Sequence, residues 1–155
     1  MTKEDRNLLV QDLCSRLPYG VKCIVTKSRT EEGQNGDVGK IVCVCLEGVD
    51  CIGDEPFFSE FGNFKPYLFP ISSMTEEQKK EYYSLADDVT IKPGQGCYLG
   101  IKIHCIKLGI SDNPHEEVWD YINLDALEWL NKNHFDYRDL IPKGLAIDCT
   151  NLNIY

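Results

Sequence analysis

The feature of the sequence that most constrains the fold is residues 40–49, a β-forming run with apolar side chains on both faces. Side chains alternate between the two faces of a strand. One face is expected to carry Ile41, Cys43 and Cys45; the other is expected to carry Val42, Val44 and Leu46. A strand that is apolar on both faces lies in the interior of a sheet or is wrapped into a small barrel. Residues 21–26 have a similar composition and are predicted to pair with it antiparallel.

Three helices are predicted to pack on this sheet. The first begins at an N-cap on Thr2, because a threonine hydroxyl accepts a hydrogen bond from the first turn. The second begins at a capping box formed by Thr75 and Gln78 and ends near Ala86. The third follows Asn123. The apolar stripe expected on the first helix consists of Val10, Leu13, Cys14 and Leu17.

Two more strands are predicted at residues 97–110 and 118–122, where β-forming residues are bounded by turn residues. The predicted fold class is therefore α+β: a small antiparallel sheet, in one version barrel-like in the N-terminal half, with about three packed helices. A chain of 155 residues fits a single domain. We expect a helix with a β-rich half over residues 1–70 and a mixed half over residues 71–155.

The composition is acidic, with 16 lysines and arginines against 25 aspartates and glutamates and a formal net charge of −9. A surface that binds nucleic-acid phosphates is basic, so this charge disfavours nucleic acid as a partner. It suits a basic protein partner instead. The sequence contains no apolar stretch of about 18 residues, so no membrane span is predicted. The N-terminus shows no signal-peptide pattern. The expected location is the cytoplasm.

Eight cysteines are present, and no two of them form the Cys-x-x-Cys pair typical of zinc sites. Thiols stay reduced in the cytoplasm, and a reduced cysteine in an apolar run packs like a small hydrophobic residue. We therefore interpret the cysteines as core residues and expect no metal site and no cofactor; disulfides and a metal site are the alternatives. The eight are Cys14, Cys23, Cys43, Cys45, Cys51, Cys97, Cys105 and Cys149.

Three blocks of sequence, residues 12–22, 65–78 and 129–155, carry a family resemblance. Their most specific wording is KPYLFPISSMTEE in the second block and LNKNHFDYR in the third. The chain resembles a family of uncharacterised small proteins from gut-bacterial genomes, phages and mobile elements. The resemblance implies a phage or mobile-element setting in a bacterial host, and it implies no activity and no site residues. Relatives usually have a glycine where this chain has Asp139.

The densest group of polar side chains follows the third predicted helix. It consists of His134, Asp136, Tyr137, Arg138 and Asp139. A guanidinium binds anions and an aromatic ring stacks on a base, so Arg138 and Tyr137, with the strand residue Lys102, are candidates for holding a small nucleotide-like ligand. His134 with Asp136 or Asp139 would be the acid–base pair of an enzyme. The alternative interpretation is structural: these residues cap a turn, form ion pairs and pack the tail.

Six aromatic side chains fall between residues 57 and 69. Exposed aromatic residues anchor many protein interfaces. The candidate partner-binding residues are therefore Phe57, Phe58 and Phe61. His134 and Asp136 are also candidates; they belong to the polar group after the third predicted helix, called the polar turn below. The alternative is that the aromatic side chains fill the core or a contact between subunits.

The leading hypothesis is a non-enzymatic accessory protein of phage or mobile-element type that captures or blocks a host protein by stoichiometric binding. Three alternatives stay open. One is sequestration of a nucleotide-like ligand. Another is a small hydrolase or nucleotide-modifying enzyme that uses His134. The last is a structural or assembly protein that forms homo-oligomers.

Overall fold

The structure, a computed structural model, describes residues 1–27, 36–86 and 124–155. The chain divides into two compact units: the first comprises Met1–Phe69 with Arg138–Tyr155, and the second comprises Pro70–Tyr137. The strands predicted at 97–110 and 118–122 lie outside the described residues, and so does Lys102. The single domain expected over residues 1–155 stays a prediction.

Three α-helices and seven strands are found in the described ranges, so the α+β prediction is confirmed. The helices are α1 (Lys3–Arg16), α2 (Glu76–Ala86) and α3 (Leu124–Lys132). The strands are β1 (Lys22–Val25), β2 (Val38–Val44), β3 (Gly48–Ile52), β4 (Pro56–Glu60), β5 (Phe64–Pro70), β6 (Phe135–Asp136) and β7 (Ile147–Asp148).

The sheet of the first unit has the strand order β4-β3-β2-β1-β5, and every neighbouring pair in this order is antiparallel. Strand β7 pairs with β5 in parallel. The predicted pairing of β1 with β2 is thus confirmed. The sheet is not closed into a barrel, so the barrel-like version of the prediction is wrong. Although only residues 61–63 connect β4 to β5, no described ladder joins those two strands.

One face of this sheet, called the inner face below, is covered by α1 and by part of the C-terminal tail. The apolar core between them consists of Leu9, Leu13, Val21, Cys23, Ile41, Val49, Cys51, Phe64, Leu68, Leu140 and Ala146. Burial of apolar area on this scale is the main favourable contribution to folding. The opposite face of β2, β3 and β4 is the outer face.

The buried stripe of α1 differs from the predicted one. It consists of Leu9, Asp12, Leu13 and Arg16, whereas Cys14 is exposed and the predicted stripe is wrong there. Charged side chains enter the stripe because Arg16 binds Asp12 with two hydrogen bonds: Nε donates to Oδ2 over 2.7 Å and Nη2 donates to Oδ1 over 3.0 Å. The predicted N-cap is correct, since Thr2 and Asp5 form a reciprocal capping box.

A β-bulge in β2 changes which side chains face the core. Ile41 pairs with Cys51 and the next pair is Cys43 with Asp50, so β2 contains one extra residue opposite β3. Beyond the bulge the alternation is shifted by one. Val44 packs against the core, while Cys43 and Cys45 are exposed. The prediction that Cys43 and Cys45 share a face with buried Ile41 is therefore wrong.

The cysteines divide into two groups as a consequence. Cys23, Cys51 and Cys149 are buried and free, as expected for core residues. The core interpretation is wrong for the three exposed cysteines, which are Cys14, Cys43 and Cys45.

In the second unit the predicted start of α2 is confirmed, whereas Asn123, the predicted cap of the third helix, lies outside the described residues. Gln78 N–H donates to Thr75 Oγ1 over 3.2 Å and Thr75 N–H donates to Gln78 Oε1 over 2.9 Å, the predicted capping box. Helix α3 buries Ala126, Trp129 and Leu130 on one side. The Trp129 ring stacks on Phe135 at 5.6 Å and contacts Tyr82 of α2 at 5.7 Å.

Candidate functional site

His134, the histidine of the predicted polar group, has a structural role in its backbone conformation. It follows α3 with φ of 58°, in the left-handed region, and its N–H donates to the carbonyl of Asn131 over 3.1 Å. This is the hydrogen-bond pattern of a helix C-cap, where glycine or asparagine is usual. The side chain is buried. His134 therefore ends a helix, whatever else its imidazole contacts.

Tyr137 and Asp136 also take part in the packing of the second unit. The Tyr137 hydroxyl donates to Asn131 Oδ1 over 3.0 Å, which ties the residues after α3 back to the helix. Asp136 lies in β6 and is buried. A ligand-binding role for either residue stays a prediction.

Arg138 belongs to the first unit and lies beside the buried ion pair of α1. Its Nε is 3.5 Å from Asp12 Oδ1, and its side chain is 24% exposed. Asp139 has φ of 62°, a left-handed conformation that glycine adopts without cost.

The three candidate phenylalanines near β4 have different environments. Phe57 points to the inner face and packs against the core, and Phe61 does the same after β4 ends. The Arg6 guanidinium carbon lies 5.2 Å from the centre of the Phe61 ring, a cation–π contact. Phe58 points to the outer face and is 46% exposed. Of the three, Phe58 is the one available as an anchor.

Phe58 shares the outer face with other exposed apolar residues. The register places it opposite Asp50 of β3, and Ile52 lies two residues further along the same face of that strand. Such diagonal neighbours on one face are within reach of an aromatic side chain. We call the exposed residues of this surface the outer patch: Val38, Val42, Ile52 and Phe58.

The border of the outer patch is acidic around Phe58, while the exposed Lys40 lies opposite Ile52. Asp50 lies directly opposite Phe58, and Asp54 and Glu55 are exposed in the turn between β3 and β4. Cys43 pairs with Asp50 from the other side. Desolvation, with the nearby Asp50 carboxylate, raises the pKa of the Cys43 thiol. The exposed thiol is therefore protonated near neutral pH, which makes it a poor nucleophile.

Two buried thiols meet on the inner face. The Sγ atoms of Cys23 and Cys51 are 3.4 Å apart, although β2 lies between their strands. They meet because Gly39 of β2 has no side chain; a Cβ there would lie 3.1 Å from Cys51 Cβ and 2.8 Å from the Phe57 ring. The hydrogen bond to Cys51 and burial raise the pKa of the Cys23 thiol, so Cys23 stays protonated. Within the described ranges, no three His, Cys, Asp or Glu side chains are grouped to hold a metal ion.

A cleft of about 460 Å³ lies beside the start of α1. It contains two basic residues, Lys3 and Arg6, and two acidic residues, Glu47 and Glu60. The opposite charges balance, and the Phe61 ring that lines the cleft is already in contact with Arg6. The cleft therefore has no net positive charge with which to attract a nucleotide-like anion.

Sequence reasoning identified Phe58 but missed its neighbours in the outer patch. Val42 was assigned to a covered face, and Ile52 was not considered. The alternation in β3, with Val49 and Cys51 buried and Asp50 and Ile52 exposed, is the signal that could have placed Ile52 beside Phe58. No signal in the sequence marks the bulge that exposes Cys43.

No described helix is both long enough and apolar enough to cross a membrane. Comparisons of the chain with protein-family models, with curated proteins and with solved structures find no match.

Proposed function

We propose that the chain is a non-enzymatic binding protein that captures or blocks a protein partner through the outer patch. The observation that supports this proposal most is the exposure of Phe58 and of its diagonal neighbour Ile52, with Val42 two strands away on the same face of a sheet whose other face is covered. Grouped exposed apolar residues with a polar border are typical of protein interaction sites. The setting in which the partner would be a bacterial host protein rests on the family resemblance alone.

The polar turn supports this choice over the alternatives. The contacts of Tyr137 with Asn131 and of Arg138 with Asp12 give both residues a structural role. In the part of the chain that the structure describes, the acid–base candidate His134 is a buried helix cap. Binding through the outer patch therefore explains an otherwise unused feature, whereas the polar turn is explained by the fold.

The test compares two serine variants with the wild-type chain, each used as bait in extracts of the bacterial host. Phe58→Ser removes the anchor, and Leu152→Ser removes an equally exposed apolar side chain in the tail after β7, since both residues are 46% exposed. We expect one protein to be retained in a one-to-one complex by the wild type and by Leu152→Ser, and to be lost with Phe58→Ser. Retention of the same protein by Phe58→Ser would contradict the proposal.

The enzymatic alternative has its own test. His134→Asn is the suitable variant, because asparagine tolerates the left-handed backbone that alanine disfavours. If purified protein turns over a compound and His134→Asn abolishes the turnover while the fold is intact, the proposal of a non-enzymatic protein is wrong.

A further inference from the structure

Strand β4 lies at the edge of the sheet that carries Phe58. Its described pairing is with β3 only. Two backbone hydrogen bonds fix the pattern of this pairing: Phe61 N–H donates to the Glu47 carbonyl, and Gly53 N–H donates to the Glu55 carbonyl. In an antiparallel ladder hydrogen-bonded and non-hydrogen-bonded pairs alternate. Phe57 and Ser59 therefore direct their backbone groups towards β3.

The residues between them direct their backbone groups to the edge with which no described strand pairs, called the free edge below. Pro56 has no backbone N–H, so its part of the edge cannot donate a hydrogen bond to an added strand. The Glu60 carbonyl already accepts a hydrogen bond from Asn63 N–H over 3.0 Å. Phe58 remains, with both its N–H and its C=O directed outwards. The free edge thus offers one complete donor–acceptor pair, at the residue whose side chain anchors the outer patch.

The charge near the start of β4 is acidic, whereas Glu47 and Glu60 near its end share a cleft with Lys3 and Arg6. Between Lys40 and Lys65 the chain contains no lysine or arginine. The acidic residues in this stretch are Glu47, Asp50, Asp54, Glu55 and Glu60. Asp54 and Glu55 are exposed immediately before β4 begins. A segment that lies along β4 therefore passes the carboxylates of Asp54 and Glu55, which favour lysine or arginine side chains at that end of the segment.

We propose that the free edge of β4 binds an extended, basic segment of a partner protein by strand addition centred on Phe58. The inference rests on the proposed function and names the chemistry of the partner. Strand addition takes affinity from main-chain hydrogen bonds and specificity from alternate side chains. Here one face of the added segment continues the outer patch, and its cationic side chains meet Asp54 and Glu55.

The probe for this proposal is a short fluorescent peptide of alternating lysine and valine, with binding measured by anisotropy. Phe58→Ala removes the side chain and keeps the N–H; Phe58→Pro removes both and is compatible with an edge strand, because that N–H points away from β3. We expect Phe58→Pro to bind about tenfold more weakly than Phe58→Ala, the effect of losing one hydrogen bond. Thermal unfolding of both variants checks that β4 is intact.

Three further measurements test the proposal without any change at Phe58. A peptide whose central residue is N-methylated cannot donate to the Phe58 carbonyl, and we expect it to bind about tenfold more weakly to the wild type. Glu55→Gln is expected to weaken binding about two- to fivefold, whereas Glu77→Gln, an exposed carboxylate of α2, leaves it unchanged. A glutamate–valine peptide is expected not to bind.

Equal binding to Phe58→Ala and Phe58→Pro, or equal binding of the N-methylated peptide, would overturn strand addition. So would sedimentation showing a dimer that Phe58→Pro dissociates, because the edge would then be occupied by a second copy of the chain. If the peptide result fails while host-protein capture is still lost with Phe58→Ser, the proposed function holds and this inference alone is wrong. If capture is unaffected by Phe58→Ser, the proposed function itself is wrong.

Discussion

The two faces of the sheet carry the same kinds of residue, but these residues are buried on the inner face and exposed on the outer face. On the inner face, apolar and charged side chains are both buried, and each charged group there is matched: Asp12 binds Arg16 through two hydrogen bonds. On the outer face, Phe58, Ile52 and Val42 are exposed and nothing in the described part of the chain covers them. The inner face thus contributes to the stability of the fold, and the outer face is the one for which we propose a binding role.

The cysteines make the same contrast within one residue type. Cys23 and Cys51 touch on the inner face, while Cys43 and Cys45 are exposed beyond the bulge. Whether a cysteine is buried or exposed therefore depends on the face of the sheet on which it lies and not on its residue type. Substitutions on the inner face should change the stability of the fold, and substitutions on the outer face should change binding.

The largest effect is expected at the buried ion pair. Asp12→Ala leaves the Arg16 guanidinium buried without its carboxylate, and we expect a loss of about 3–5 kcal/mol in the free energy of unfolding. Urea denaturation followed by circular dichroism measures the loss. Replacing both partners, as in Asp12→Leu with Arg16→Met, should restore part of it, because the buried Arg16 charge is removed, while the partly exposed Arg138 still loses the carboxylate beside it.

The matched control is the exposed ion pair of α2, in which Lys79 Nζ is 2.6 Å from Glu76 Oε1. Glu76→Gln should leave the urea midpoint almost unchanged, since solvent screens exposed charges. Equal loss of unfolding free energy in Asp12→Ala and Glu76→Gln would show that burial does not make the Asp12–Arg16 ion pair more important for stability than an exposed ion pair.

The next effect is expected at Gly39, which lets the inner-face thiols meet. Gly39→Ala places a Cβ 2.8 Å from the Phe57 ring and 3.1 Å from Cys51 Cβ, and we expect it to cost about 1–3 kcal/mol of unfolding free energy. The neighbouring exposed Val38→Ala serves as control and should change stability by less than about 0.5 kcal/mol. If Gly39→Ala is tolerated equally well, the inner face is less tightly packed than its distances indicate.

A smaller effect is expected where the tail joins the sheet. The Tyr155 hydroxyl accepts from Lys22 N–H over 3.1 Å and donates to the Tyr67 carbonyl over 2.9 Å, and so bridges β1 and β5. Tyr155→Phe keeps the ring contact with Phe69 but leaves both backbone groups without this partner. We expect a loss of about 1–2 kcal/mol in denaturant unfolding.

The same contact predicts a pH dependence. Burial raises the pKa of Tyr155 above its ordinary value of 10.0, and burial also raises the pKa of Cys149 to about 11 from 9.0. A raised pKa in the folded state means that stability is complete below the ordinary pKa and declines as the pH rises above it. The thermal midpoint should therefore fall above pH 9, and more steeply above pH 10. Tyr155→Phe should remove the steeper part; an unchanged slope would contradict this assignment.

The smallest effect on stability is expected on the outer face. Phe58→Ser removes a side chain that is half exposed, so the free energy of unfolding should change by less than about 0.5 kcal/mol. The same variant should abolish partner capture. A large loss of stability with Phe58→Ser would show that the outer patch belongs to the core and would reverse the comparison of the two faces.

Features set by neighbours in the chain were predicted correctly. The capping boxes at Thr2 and Thr75 depend on side chains only three residues away, so their sequence spacing is sufficient. The pairing of β1 with β2 was also predicted, because strands adjacent in sequence usually pair. Phe58 was identified only together with Phe57 and Phe61, because exposed aromatic residues anchor many interfaces, and the sequence did not separate it from the two that pack against the core.

Features set by distant parts of the chain were not predictable. The stripe of α1 was shifted because Asp12 and Arg16 were assumed to face solvent, and only their mutual hydrogen bonds permit burial. The exposure of Cys43 follows from a bulge in its pairing with β3. The helix-cap role of His134 was missed because its left-handed backbone carries no local signature in a histidine.

The sequence by itself determined the α+β class, the helix starts and the acidic charge, because these depend on composition and on interactions within a few residues. Only the tertiary structure decided which face of the sheet is buried, which thiols meet and which phenylalanine is exposed. The physical reason is that a one-residue shift in strand pairing moves the following side chains to the opposite face. That shift is set by the partner strand and not by the strand itself.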